Sequence, residues 1–399
     1  MKRVLLSPGR IYTESLEEVL GLSLDADSLH AKIARKEIVS VAADVRALSD
    51  ALTGQAGAVR QRHYLAKPRF QRAYRLYYTT TNFLKIVPPL RELHASGFFD
   101  RDSLRVLDLG TGTGAAIWGL IQFVEEDLRK PITLHVTAID AVSENFAFVR
   151  TMAQAVAKRC RYVTLVVTTQ LLDLESVSDE TFVPGAFDLV TMMNTLNELS
   201  PRLHKQLHRT FARIIGDHGH AIVIEPASKS ASRGLLEFRD AAVTVGYTIY
   251  APCTRQADCP ALSQEDDWCH GEYQWERPRF IALIDEIAGL VRLSIKSSYI
   301  TLNCHGATLS GAFDIQSPAW RVVGDRSDEK GRVRAMCCSA AGKCDVVLNK
   351  RDKTVSNKQF YDVVRYDLLE ISAIGHREHD SMLSEASEVR IVLRAVGAR

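Results

Sequence analysis

Apolar positions recur at every third or fourth residue between Asp27 and Leu52 and again from Val59 to Leu93, a spacing that predicts helices and an N-terminal helical cap over residues 1–100. From Ser103 the rhythm changes. Short apolar runs at Arg105–Leu109, Ile132–Ile139, Tyr162–Thr168, Phe187–Met193 and His220–Ile224 alternate with amphipathic stretches such as Ala115–Leu128 and Arg202–Ile215. Strand followed by helix, repeated, predicts a doubly wound parallel sheet over residues 101–250. Between residues 251 and 296 an irregular stretch rich in Cys, Pro and acids precedes a helix. From residue 297 to 399 short strands dominate, at Ser298–Asn303, Arg332–Cys338, Cys344–Asn349 and Val389–Ala395, and predict a small β-rich terminal domain.

An apolar content of 46% and a charged content of 25% are those of an ordinary globular protein and argue against a disordered or fibrous chain. No apolar run approaches the roughly 18 residues that span a bilayer, so no membrane association is expected. Ser7, Pro8 and Gly9 interrupt the start before a signal core develops, and Glu14, Glu17 and Glu18 come too early for a mitochondrial presequence. The expected location is the cytoplasm, or the mitochondrial matrix if the chain is eukaryotic.

In Asp108-Leu109-Gly110-Thr111-Gly112-Thr113-Gly114 the glycines follow a strand and open a helix, so the backbone turns tightly and passes close to a ligand. A pyrophosphate would be repelled by Asp108 at the strand end. The ammonium and sulfonium of S-adenosylmethionine would not. Asp140, ending the next strand, is placed to accept both ribose hydroxyls. The expected cofactor-binding set is Asp108, Gly110, Thr111, Gly112, Gly114 and Asp140, with Leu172, flanked by Leu171 and Asp173, beside the adenine. The fold expected is therefore α/β, a Rossmann-type class I methyltransferase sheet with a helical cap, a Cys-rich insertion and a small β-rich C-terminal domain. An ordinary strand-to-helix packing turn is the alternative reading of the glycines.

After the fourth strand comes Met193-Asn194-Thr195-Leu196-Asn197-Glu198-Leu199, at the edge where α/β sheets bind ligands. Asn194, Asn197 and Glu198 are the candidate catalytic residues, although Asn and Glu at a strand end also cap helices. The run matches neither a cysteine nucleophile for pyrimidine carbon nor the Asn/Asp-Pro-Pro-aromatic pattern of amine methylation, so the acceptor atom stays open.

Of eight cysteines, Cys253, Cys259 and Cys269 fall within 17 residues of turn-rich sequence. Thiolates at that density suit zinc or an iron–sulfur cluster, with a fourth ligand from His270, Cys337, Cys338 or Cys344. Three small buried residues without metal is the plainer reading.

Ala251-Pro252-Cys253, Cys259-Pro260, Asp267-Trp268-Cys269-His270 and Glu276-Arg277 resemble the signature of the mitochondrial ribosomal small-subunit methyltransferase-like family, the group of methyltransferase-like protein 17 and its bacterial relatives. The resemblance runs from about residue 60 to 370 and includes Asn197-Glu198-Leu199, Ile224-Glu225-Pro226, Ser298–Leu302 and Arg334–Gly342. Departures from the family pattern lie at Ala227, at Gly271 and in the nine residues between Cys259 and Cys269. The resemblance implies association with the small ribosomal subunit and a [4Fe–4S] cluster held by Cys253, Cys259, Cys269 and Cys338, with zinc the alternative metal and Cys337 or Cys344 the alternative fourth ligand.

No acid occurs between Asp50 and Glu92, while eight Lys or Arg do. Arg60, Arg62, Lys67, Arg69, Arg72 and Arg75 interleave with Tyr64, Phe70, Tyr74, Tyr77 and Tyr78, a mixture that offers phosphate contacts and stacking faces to RNA. An amphipathic helix with its aromatics turned inward is the competing reading. The basic stretch Arg202–Arg213, with Leu203, Leu207, Phe211 and Ile214 on one face, reads as a sheet-covering helix. The function expected is an S-adenosylmethionine-dependent methyltransferase acting on RNA, with the small-subunit ribosomal RNA as its target and a structural cluster. The rivals are a non-catalytic ribosome assembly factor of the same fold and a small-molecule methyltransferase.

Overall fold

The computed structural model of the chain describes residues 5–22, 31–53, 67–178, 180–377 and 380–395. Arg60, Arg62 and Tyr64 lie outside them. Two helices, α1 (Arg10–Leu20) and α2 (Ala31–Thr53), precede a helical run from Pro68 to Ala95. That run comprises α3 (Pro68–Ala73), a π turn (Tyr74–Tyr78), α4 (Thr79–Asn82), a 3-10 turn (Phe83–Ile86) and α5 (Val87–Ala95). Pro88 and Pro89 sit in the first turn of α5, where a missing N–H costs nothing.

The first sheet contains β1 (Ser103–Leu109), β2 (Ile132–Asp140), β3 (Val163–Leu171), β4 (Phe187–Met193), β5 (Ile215–Pro226), β6 (Thr248–Ala251), β7 (Gly271–Gln274) and β8 (Ser294–Asn303). Its order is β3-β2-β1-β4-β5-β8-β6, and β7 also pairs with β8. The first five strands are parallel; β8 runs antiparallel to β5, β6 and β7. The order thus begins as in a dinucleotide-binding sheet and then inserts a reversed strand between the fifth and sixth. This corrects one sequence expectation. Ser298–Asn303 does not belong to the terminal β-rich part; β8 lies inside the first sheet, between β5 and β6, because strand character is local whereas a strand's partner is not.

Strands buried on both faces read as nearly unbroken apolar runs. One face, with Val106, Leu134 and Val136, packs into a core shared with α6 (Ala115–Phe123), α7 (Glu144–Ala157), α10 (Arg279–Ala288) and the N-terminal helices. Leu107, Leu109, Val190 and Val223 on the other face pack against α8 (Pro201–Ile214) and α9 (Lys229–Thr244). The expected inward set of α8, namely Leu203, Leu207, Phe211 and Ile214, is buried.

The second sheet is built from β9 (Ala319–Val322), β10 (Ser327–Asp328), β11 (Arg332–Ser339), β12 (Gly342–Asn349), β13 (Leu368–Ser372), β14 (Gly375–His376), β15 (Asp380–Leu383) and β16 (Glu388–Leu393). Its order is β14-β15-β12-β11-β9-β13-β16, with β10 on β11, around a core of its own.

Among the described residues no helix is long and apolar enough to cross a membrane.

Candidate cofactor site and cysteine pocket

The carboxyl ends of β1, β2 and β4 open on a cavity. Gly110, Gly112 and Gly114 have φ of +69°, +50° and +80°, a region glycine enters without strain. A Cβ at Gly110 would lie 2.4 Å from the Thr195 hydroxyl, so this glycine lets the loop after β1 meet the loop after β4. Gly114 caps α6 and packs its bare Cα under the Trp118 ring; it does not line the cavity.

Asp108, Gly110, Thr111, Gly112, Asp140, Leu172, Asn194 and Glu198, all expected from sequence, line the cavity. Leu171 turns out, 61% exposed. Asn197 is also exposed and outside the lining; it sits on the 3-10 turn Leu196–Glu198, where side chains diverge from one residue to the next.

Asp108 is buried and accepts a 2.7 Å hydrogen bond from the Thr191 hydroxyl on Oδ1. Burial pushes its pKa up to about 6, partly offset by the hydroxyls of Thr111 and Thr191. Asp140 accepts from the Gly112 N–H at 2.6 Å and the Val142 N–H at 2.8 Å, and burial again raises its pKa. Thr111 and Asn145 turn toward Asp108 and Asp140, whose carboxylates they favour, while Asn194 Oδ1 is buried in the lining with no hydrogen-bond partner. A buried acceptor without a partner is rare inside proteins unless a ligand satisfies it. Two carboxylates and a free amide oxygen suit a ligand with both an ammonium and hydroxyl groups.

Sequence reasoning missed Tyr74, Asn82 and Asn145 as lining residues. Tyr74 and Asn82 come from the helical run, whose aromatics were assigned to RNA stacking. The structure corrects that assignment. Tyr77 and Tyr78 are buried in the core, and Tyr74 lies in the cavity near Glu198 and Asp140. Arg69 and Arg72 pair with Asp44 and Glu37 of α2, which neutralise a stretch that lacks acids of its own. Also unforeseen is Glu225, buried beneath the Leu196–Glu198 turn, where it accepts the Leu196 N–H at 2.9 Å. Burial pushes its pKa up to about 8.

A second pocket is lined by Cys253, Cys259, Cys269 and Cys338 together with Arg321, Lys343 and Tyr366. β6 and β7 lie along the same edge of β8, with Ala251 opposite Thr301 and Gly271 opposite Ser297. The three-cysteine segment is therefore a long excursion within one interrupted edge strand. α9 holds it in place: Arg233 donates to the carbonyls of Gln264 and Asp267, Arg239 to those of Arg255 and Ala257, and Asp240 accepts the Cys259 N–H. Cys338 arrives from β11. Strand alternation sends neighbouring Cys337 into the core of the second sheet, opposite Cys344, so neither lines this pocket. His270 bonds Arg365 instead.

Burial raises the pKa of Cys259 to about 12 and that of Cys269 to about 11, and mutual repulsion with Cys253 adds to both. Four soft donors facing one space fit an iron–sulfur cluster chemically. As they stand, no group of three or more His, Cys, Asp or Glu among the described residues is arranged to hold a metal ion. The thiols border a shared space rather than converge on one point, so they do not form a ready zinc site.

Strand order and cavity together define a Rossmann-type class I methyltransferase fold. The chain belongs to the family described as mitochondrial small ribosomal subunit Rsm22, whose model matches residues 69–366. No curated protein is similar in sequence. Among solved structures, magnesium protoporphyrin IX methyltransferase from Synechocystis PCC 6803 with bound SAM is 15% identical, with 63% of this chain and 99% of that chain covered and a TM-score of 0.36. The plantazolicin methyltransferase in complex with SAH is 10% identical, covering 67% and 98%, with a TM-score of 0.34. A SAM-dependent methyltransferase from Aquifex aeolicus is 17% identical, covering 42% and 82%, with a TM-score of 0.28. The fold assignment rests on the strand order, not on these likenesses.

Proposed function

We propose that the protein is an S-adenosylmethionine-dependent methyltransferase acting on RNA of the small ribosomal subunit. The observation that carries the reading is the cavity at the carboxyl edge, with acids ending β1 and β2 and the buried, unpartnered Asn194 Oδ1 after β4. Asp108 would receive the ammonium of the cofactor and the backbone at Gly110 to Gly112 its methionine chain. Asp140 and Asn145 would take the ribose hydroxyls, and Leu172 would flank the adenine. When bound, the cofactor supplies an electrophilic methyl group. Asn194 and Glu198 then face the acceptor, while Asn197 acts only through the turn that carries Glu198. The gain in rate comes from positioning.

RNA is supported by α8. Arg202, Lys205 and Arg209 form one exposed stripe that starts three residues beyond the cavity-lining Leu199 and pairs with no carboxylate among the described residues. Arg202 and Lys205 lie near the positive end of the helix dipole, where cations are disfavoured unless an anion joins them. The family's ribosomal description supports the same partner. Its setting would be bacterial cytoplasm or the mitochondrial matrix.

Cys253, Cys259, Cys269 and Cys338 would hold a [4Fe–4S] cluster whose chemistry is structural, tying the excursion within the edge strand to β11. Turning the four thiols inward would close the pocket around it.

Labelled methyl transfer to small-subunit RNA by anaerobically purified protein, compared with Asp108→Ala, tests the enzyme. Label well above that variant is expected. Cofactor binding without transfer to RNA or to intact subunits would sink this reading in favour of an assembly factor. For the cluster, brown colour, iron and sulfide should fall sharply in Cys269→Ala; a colourless zinc protein would overturn it.

A further inference from the structure

The acceptor side of the cavity carries chemistry that the sequence left open. Asn194 directly follows β4 in the left-handed region, φ +54°, held there by its N–H donating to the Ile224 carbonyl at 2.7 Å. Positive φ outside glycine is uncommon, although Asn tolerates it better than most residues, and such geometry tends to mark functional sites. Its side-chain Oδ1 is buried in the cavity lining with no partner. Glu198 stands at the exposed rim of the same cavity, near Tyr74. A carboxylate offers about four lone-pair sites, so a neighbour does not exhaust it. Among the described residues lining the cavity there is no Cys, Lys, Arg or His.

We infer that the methyl acceptor is the exocyclic amine of a nucleobase, its two N–H groups donated to Asn194 Oδ1 and to the Glu198 carboxylate. This deepens the methyltransferase reading and rests on it. An amine offers two donors to two acceptors. A ribose hydroxyl offers one, and an aromatic carbon offers none. An aromatic carbon would also need covalent activation by a nucleophile such as a thiolate, and the lining residues supply none. In the transfer, the amine nitrogen's electron pair forms the new N–C bond while the C–S bond breaks. That bond pair returns to sulfur, which becomes a neutral thioether. The departing N–H proton passes to the Glu198 carboxylate and from the exposed rim to water. Asn194 orients the amine and delocalises none of the charge itself.

Two measurements test this, one of them independent of turnover. With S-adenosylhomocysteine bound, cytidine monophosphate should bind about tenfold more tightly than uridine monophosphate, and adenosine monophosphate more tightly than inosine monophosphate. In each pair an amine is exchanged for a carbonyl oxygen of similar size, which leaves the buried acceptor unpaired. Asn194→Ala should abolish the preference, and Asn194→Asp, which keeps an acceptor, should retain it. Equal or reversed affinities in the unsubstituted protein would overturn the inference. In the second measurement, RNA treated with deuteromethyl-labelled cofactor is digested and its nucleosides are weighed and fragmented. Label on an exocyclic nitrogen supports the inference; label on carbon or on a ribose oxygen overturns it. A protein that prefers the amine but transfers nothing sinks the methyl-transfer reading and leaves the amine-recognising pocket standing.

Discussion

Asp108 illustrates how much a single residue's chemistry depends on what surrounds it. Its strand-end position and the glycines after it are local, so its placement was legible along the chain. Its pKa of about 6 was not, because burial beneath Thr111 and Thr191 is a property of the folded cavity. The shift has a consequence for cofactor binding. Above about pH 6 the carboxylate is charged and can hold an ammonium; below it, the neutral acid cannot. Affinity for S-adenosylmethionine should fall by up to about tenfold per pH unit below pH 6. Isothermal titration from pH 5 to 8 would measure this, and Asp108→Asn should flatten the profile at the weak level. A slope persisting in Asp108→Asn would assign the titration to another group.

At the scale of elements, the contact between α6 and the helical run decides where Tyr74 and Asn82 stand. Gly119 makes it close: a Cβ there would lie 2.1 Å from the Phe83 carbonyl oxygen and 2.4 Å from Ile86 Cγ2. Backbone cannot yield cheaply in a packed core. Gly119→Ala should therefore cost about 1–3 kcal/mol in denaturant unfolding and weaken cofactor binding, whereas the half-buried Gly234→Ala, whose added Cβ meets nothing within 4 Å, should not destabilise. The helical run also shows why the surroundings of its arginines were not legible along the chain. Its amphipathic spacing was visible, but the carboxylates that neutralise Arg69 and Arg72 come from α2, far along the chain. α8 carried the opposite lesson, since its apolar stripe predicted the buried face correctly, while only the fold shows that its cations begin beside the cavity.

Across the whole molecule, Arg321 of β9 joins parts that no local pattern connects. It is 2% exposed and donates to Glu92 in α5 at 2.8 Å, to the Tyr366 carbonyl at 2.7 Å and to the Pro252 carbonyl, next to Cys253, at 2.7 Å. Glu92 also accepts from the Tyr299 hydroxyl of β8 at 2.7 Å. Removing one partner of a buried pair strands the other, so Arg321→Met should cost about 3–5 kcal/mol in urea unfolding. The double variant with Glu92→Gln should recover part of that loss. If Arg321→Met were as stable as the unsubstituted protein, the pair would not be what ties the two sheets. The sequence by itself determined the alternation of strands and helices, the glycine loop with its two acids and the thiol-rich segment, because periodicity, backbone freedom and residue chemistry are local. Only the tertiary structure decided that β8 lies between β5 and β6 and that Tyr74 and Asn82 enter the cavity. It also chose Cys338 over Cys337 to face the other three thiols. Those outcomes depend on pairing, side-chain facing and burial between residues far apart in the chain, which no spacing along it encodes.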